Sequence, residues 1–320
     1  MGLFGRRRRR ERDLSPVTPE NPDDSLTFLG VEDAQRIRAL VRRSFADRGL
    51  EVSVHADHVV DDSGRQFGLW NVAAACHQDD RGRGGWADVV DQHVDRVLAG
   101  MDAPDPFEGL TPEAARPRIY ARIYERAGIP DLTGFPHREF APGLVEMIAL
   151  DMPDSVMVFN DERVEALGGY DQLRAWGMES LRREPVERHE VLDLPDGARF
   201  HVLLGGSVHT ASRALLMPWL AAEVAGEEVG RHGWLLSVPN RQQVVWHLVR
   251  DISVIPTLQA MAGFAAAGFG DSPGPLSPHV YWWDGGAYQQ LTQYDDEGNA
   301  SIVVDATFQA VLEELAGGTD

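Results

Sequence analysis

Apolar side chains along this chain switch repeatedly between a period near 3.6 residues and a period of 2, the marks of amphipathic helices and half-buried strands. From Asp33, read as an N-cap, Ile37, Leu40, Val41 and Phe45 recur at helical spacing until Gly49, a suitable residue just past a helix end. Leu50, Val52 and Val54 then alternate with Glu51, Ser53 and His55. A second run, Gln66 to Ala75, follows the turn Asp61-Asp62-Ser63-Gly64, and the two runs predict a hairpin. Trp86, Val89, Val90, His93, Val94, Val97 and Leu98 keep the clearest stripe, predicting a helix over 86–99 closed by Gly100.

Prolines at 104, 106, 112 and 117 interrupt the pattern, and residues 102–143 read as a linker and connecting segment. Beyond them, Leu144 to Leu150 and Val156 to Phe159 predict strands and Tyr170 to Arg183 a helix. Arg188 to Leu194 and Phe200 to Leu204 flank the turn Pro195-Asp196-Gly197. A helix is expected over 208–225, then strands Trp234 to Val238 and Gln243 to Val249 around Pro239-Asn240-Arg241, whose Pro-Asn pair suits a tight turn. A helix over 254–267, a hairpin of Val280 to Trp283 and Tyr288 to Leu291, a short strand at Ser301 to Val304 and a C-terminal helix complete the reading. Hairpins and helices alternate without a strand-helix-strand rhythm. The expected class is therefore α+β, with antiparallel sheets built from hairpins and helices packed on one face, in two or three consecutive units. The boundaries are a disordered basic-then-acidic arm at 1–27, a helix-hairpin-helix unit at 28–101, the connecting segment at 102–143 and a larger domain at 144–320.

Composition narrows the chemistry. The 320 residues carry 30 basic against 50 acidic side chains, a formal charge of −20, and every basic residue is arginine. Without lysine, neither Schiff-base chemistry nor P-loop phosphate binding is available. Six of the arginines stand in residues 1–12 against Glu11, a balance of +5, so the remaining chain carries −25. A body so acidic repels nucleic-acid backbones, and no specific nucleic acid is expected as a partner. The single Cys76 excludes an internal disulfide and has no C-x-x-C partner for zinc. No apolar run reaches the ~18 residues of a spanning helix, and the order of the first residues is the reverse of a signal peptide's. The expected location is the cytoplasm, with contact at the inner face of the membrane through the arm as an alternative. At about 1 kcal/mol per basic residue near an anionic surface, Arg6, Arg7, Arg8, Arg9 and Arg10 with Arg12, offset by Glu11, would supply roughly 5 kcal/mol, a weak and reversible association.

Several segments share their wording and order with a known family: Leu144-Val145-Glu146-Met147-Ile148-Ala149-Leu150-Asp151-Met152-Pro153-Asp154-Ser155-Val156, then Trp176-Gly177, then Thr210-Ala211-Ser212-Arg213-Ala214-Leu215-Leu216-Met217-Pro218, then Leu236-Ser237-Val238-Pro239-Asn240-Arg241 and Leu276-Ser277-Pro278-His279-Val280-Tyr281. Over about residues 140–292 the chain resembles the YtpQ-like family of uncharacterised bacterial proteins. The resemblance implies an intracellular α+β protein and no particular reaction, cofactor or catalytic residue.

Candidate chemistry is sparse. Ser207 and His209 follow a strand, but a nucleophile elbow needs glycine where His209 stands, and Ser207 reads as a helix N-cap. His55, Asp57 and His58 occupy a hairpin tip without metal-ligand spacing, His93 lies on a core stripe, and Asp151 with Asp154 shapes a turn as readily as it forms an acid-base pair. Arg213 and Arg241 are the two arginines within the family-like segments, where a planar guanidinium could clamp a carboxylate or phosphate. Trp282 could line a groove. No cofactor and no metal is implied, and no catalytic set converges. The leading expectation is a non-catalytic protein-binding or scaffold module, with a protein partner or self-association. The alternatives are a hydrolase or transferase of a small substrate using Arg213 and Arg241, and a peripheral membrane protein tethered by the arginine run.

Overall fold

Ile37, Val41 and Phe45 lie buried along one side of α1 (Val31–Asp47), as their spacing requires. The computed structural model describes residues 21–26, 28–102, 106–129, 131–152, 156–270, 272, 274–295 and 300–317. Gly30 rather than Asp33 caps α1; Asp33 and Glu32 sit in its first turn, where carboxylates oppose the positive end of the helix dipole. Gly49, at φ +81°, supplies the left-handed step that ends it.

The first sheet has three antiparallel strands, β1 (Val52–Val54), β2 (His58–Asp61) and β3 (Gln66–Gly68). The run read as a strand to Ala75 divides here: β3 stops at Gly68 and α2 (Trp70–His77) begins. Its residues Val72, Ala73, Ala74 and Cys76 are small enough to be enclosed between α1 and α3 (Trp86–Asp102), and alanine favours the helix. The core of this unit also takes Leu26, Phe28 and Leu29, and Asp23 pairs with Arg38 at 2.7 Å, which helps hold its carboxyl at about 2. Residues 21–26, expected within the disordered arm, are thus tied to the fold by an apolar seal and a charge pair. The rest of that arm, residues 1–20 with Arg6 to Arg10, lies outside the described residues.

The segment 102–143 is more than a connection. After α4 (Pro112–Ala115), capped by the Thr111 side chain, come β4 (Ile119–Glu125) and β5 (His137–Ala141). Both flank β6 (Leu144–Asp151), with β4 paired over seven residues from Ile119 opposite Leu150 to Glu125 opposite Leu144. β7 (Val156–Val158) pairs with the far end of β6. One sheet therefore spans the expected boundary at 143. After α5 (Asp161–Ala166), α6 (Tyr170–Arg183) crosses this sheet closely enough that a Cβ on Gly177 would overlap the Ala121 amide.

The larger sheet has six strands in the order β13-β12-β10-β11-β9-β8, all pairs antiparallel: β8 (Arg188–Asp193), β9 (Arg199–Leu204), β10 (Trp234–Ser237), β11 (Gln243–Leu248), β12 (Tyr281–Trp283) and β13 (Tyr288–Gln290). On one face Leu235, Val245 and Trp282 pack against α8 (Val254–Gly270) and Phe308 of α9 (Ala306–Gly317). On the other, Leu236, Val244 and Trp246 meet the helical segment 211–225 and the edge of the four-stranded sheet. That segment is not a plain α-helix: Ala211–Leu216 is 3₁₀, α7 (Met217–Trp219) is a single turn holding Pro218, and Leu220–Ala225 widens to a π-helix ended by Gly226 at φ +69°. A proline inside the run removes one backbone donor and accounts for the break. The hairpin of β14 (Thr292–Tyr294) and β15 (Ala300–Ile302) precedes α9. The protein is α+β, its sheets antiparallel with helices packed against them. Among the described residues, no helix is long and apolar enough to cross a membrane.

Candidate functional site

The sequence Ile119-Tyr120-Ala121-Arg122-Ile123-Tyr124 alternates strictly, so successive side chains leave β4 on opposite faces. Ile119 and Ala121 join the core beneath α6. Arg122 and Tyr124 line a cleft of about 900 Å³ that is also lined by Trp70, Asn71 and Arg96 of the first unit, and Tyr120, packed at the edge of the core, carries the imidazole of His209 that borders it. The opposite wall comes from the segments around His209, Arg241 and Gly274.

Arg122 is 7% exposed. Its Nη2 donates to the Val208 carbonyl at 3.2 Å, its guanidinium carbon lies 5.0 Å from the centre of the Tyr124 ring, and its Nε is buried without a partner. Arg241 stands in the turn between β10 and β11, where the tight turn read from Pro239-Asn240 is found. Its amide donates to the Gly274 carbonyl at 2.9 Å, and its own carbonyl accepts from the Ala211 amide at 3.0 Å. The side chain lies flat against Gly274, whose φ of +65° and missing Cβ leave room for the guanidinium. Nη2 reaches Asn71 Oδ1 at 3.3 Å, and the same oxygen accepts the Gly274 amide at 2.8 Å, joining the first unit to the body. Burial first, then the like charge of Arg122, disfavours the charged form of Arg241. Among the described residues, no carboxylate pairs with Arg122 or Arg241.

The third element is a histidine. His209 is buried, its ring stacked on Tyr120 at 3.8 Å and 6°, and its Nε2 lies 3.0 Å from Asp151 Oδ1. Because a carboxylate only accepts, the contact assigns the proton to Nε2 and leaves Nδ1, buried and unpartnered, with its lone pair. Burial and then the Arg122 charge push the imidazole below its usual pKa, outweighing the Asp151 hydrogen bond, so it is neutral. Tyr120 donates to Glu184 Oε1 at 2.8 Å. Ser207 takes no part in a relay: its Oγ accepts the His209 amide at 3.2 Å, while the imidazole is engaged by Asp151.

Of the residues singled out from the sequence, Arg241 is in the cleft. Arg213 is not: it is buried, with Nε donating to the Leu181 carbonyl at 3.2 Å and Nη2 to that of Glu184, so it caps the carboxyl end of α6. Trp282 lines no groove. It is 2% exposed, its Nε1 donates to the His232 carbonyl at 2.8 Å, and its ring packs 4.8 Å from Phe308. Asp154 lies outside the described residues, whereas Asp151 has His209 as its partner. His55 and His58 stack at 4.6 Å on their hairpin tip. No three His, Cys, Asp or Glu side chains among the described residues gather as a metal-holding group. The reading of 102–143 as a connection hides Arg122; the period-two alternation of residues 119–124 is the signal that places it on a strand. No family model, no curated protein and no solved structure matches this chain.

Proposed function

We propose that the protein is a binding protein for a small anionic ligand, held in the cleft by Arg122 and Arg241. The observation that carries this reading is a pair of arginines in one cleft with no carboxylate partner among the described residues, one of them buried with a free Nε. Burying a charge without a partner is costly, and the cost is recovered when an anion enters. Guanidinium forks suit carboxylate and phosphate equally. The binding class expected from the sequence is kept, with a small anion in place of a protein partner, and the reading is independent of the YtpQ-like resemblance. Calorimetric titration with inorganic phosphate and with succinate tests it. At least one should bind, and Arg122→Gln and Arg241→Gln should each weaken it about tenfold or more, the cost of a charge-assisted hydrogen bond. Affinities unchanged in both variants would overturn the reading.

One observation favours a second reading, a small-substrate enzyme: a neutral histidine, His209, borders the cleft and is oriented by Asp151, and its unpartnered Nδ1 would serve as a general base once a substrate displaced the groups that now enclose it. Turnover of an anionic ester that is lost in His209→Gln while binding persists would support it, and equal turnover in that variant would exclude it.

A further inference from the structure

Several arginines of this acidic chain close on nearby carboxylates: Arg48 contacts Asp91 and Asp95, Arg81 contacts Asp79 and Asp88, and Arg174 grips Glu146. Arg122 and Arg241 do not, although carboxylates share their cleft. Asp151, Glu184 and Glu125 line it together with Arg122 and Arg241, yet none of these three carboxylates forms an ion pair with either arginine. Each carboxylate retains unused accepting capacity. Asp151 gives one oxygen to His209 and Glu184 one to Tyr120, and the Glu125 carboxyl, half-buried, is shifted upward by desolvation. Val208 and His209 are consecutive, Arg122 donates to the carbonyl of the first and Asp151 accepts from the imidazole of the second, so one dipeptide touches both the cation and the carboxylate. The spacing is fixed by rigid parts: β4 carries Arg122, the last residue of β6 is Asp151, and the Tyr120 ring stacks on the imidazole between them.

Two poles held apart in one cleft complement a ligand that carries both charges. We infer that the ligand of this site is a short zwitterion, its anionic head on Arg122 and Arg241 and a protonated amine at Asp151 and Glu184. This rests on the anion-binding reading and adds the amine. A bare anion would meet the carboxylates as like charges, whereas a zwitterion places an ammonium against them and leaves neither pole of the cleft unpartnered. His209, neutral between the poles, adds no charge to either side.

Ligand pairs that differ by the amine alone test the inference on the full chain. At pH 7, phosphoethanolamine is compared with ethyl phosphate, and β-alanine with propionate, by calorimetry. In at least one pair the amine-bearing member should bind about tenfold more tightly, and Asp151→Asn should cut that ratio to threefold or less, with the thermal midpoint showing that the variant folds. The wild-type ratios stand as a test even if the variant does not fold. Equal or weaker binding of the amine-bearing members, with ethyl phosphate or propionate still bound, overturns the zwitterion and leaves the anion reading standing. Binding of none of the four overturns both.

Discussion

The two faces of β4 and β6 handle charge in opposite ways. On the face under α6, the Glu146 carboxylate is 4% exposed and Arg174 closes on it with both Nε, at 2.5 Å, and Nη2, at 3.0 Å. On the other face Arg122, one residue from Ile123, which sits directly across from Glu146, has no carboxylate at all among the described residues. The same strands thus carry a satisfied charge on the closed side and an unsatisfied one on the open side. A buried pair whose members complete each other is structural; a buried charge left incomplete beside a cleft is a place for something else to bind.

Removing one partner on the closed side should have the largest effect. Glu146→Ala strands the Arg174 guanidinium and should cost about 3 kcal/mol in urea unfolding, the low end for a buried pair because Arg174 is partly exposed. Next is Gly177→Ala, whose Cβ has no space against the β4 backbone. A loss of about 1–3 kcal/mol, the usual range for overpacking, is expected, with weaker cleft binding because β4 carries Arg122. Arg122→Met should invert the pattern, leaving stability unchanged or raising it by about 1 kcal/mol while anion affinity falls at least tenfold. A variant that loses stability like Glu146→Ala would erase the distinction between the faces.

Acidification should act more weakly. His201, buried in the six-stranded sheet and bonded to His189 at 3.0 Å, is shifted down to about 4, chiefly by desolvation, and His209 is shifted in the same direction. For such groups the unfolded chain takes up the proton first. Their contribution is therefore complete above pH 6.5, the ordinary histidine value, and is lost as pH falls, for His201 toward about 4. Urea midpoints at pH 7.5, 6 and 5 should decline in that order, and His201→Asn should flatten the decline. The smallest expected effect is none: the Cys76 thiol is buried and pushed up to about 12, so a thiol reagent at pH 8 should leave it untouched in the native protein and in every variant that keeps the first core.

Much of the fold was legible because one residue pattern maps onto one buried face. The helices at 31–47, 86–102 and 170–183 and the hairpins of the six-stranded sheet follow the spacing of their apolar residues. Legibility failed where a pattern had two meanings. Val72-Ala73-Ala74 is apolar on every side, which fits a buried helix as well as a buried strand. Prolines at 112 and 117 mark a connection, but they also start α4 and shape the turn that leads directly into β4. Of the cleft, only Arg241 could be named in its eventual role, since its turn is local. Arg122, Asp151 and His209 become a site only through the pairing of β4 with β6 and the packing of residue 209 against Tyr120, contacts that no local spacing encodes.

The way those residues are scattered sets an order of events in synthesis. The first core is complete in sequence once α3 has emerged, since it draws on residues from Leu26 to Val94 together with partly buried Val97 and Leu98. The cleft needs Arg122, then Asp151, then His209, and finally Arg241 with Gly274 to lie against. On a ribosome that delivers the chain amino end first, the first unit can stand folded for some 170 residues of further growth before the wall that faces Asn71 exists. The cleft is therefore assembled late, after the first core and before the last strands and α9, and a chain truncated anywhere before residue 274 has the first unit and β4 without the wall that closes on Asn71.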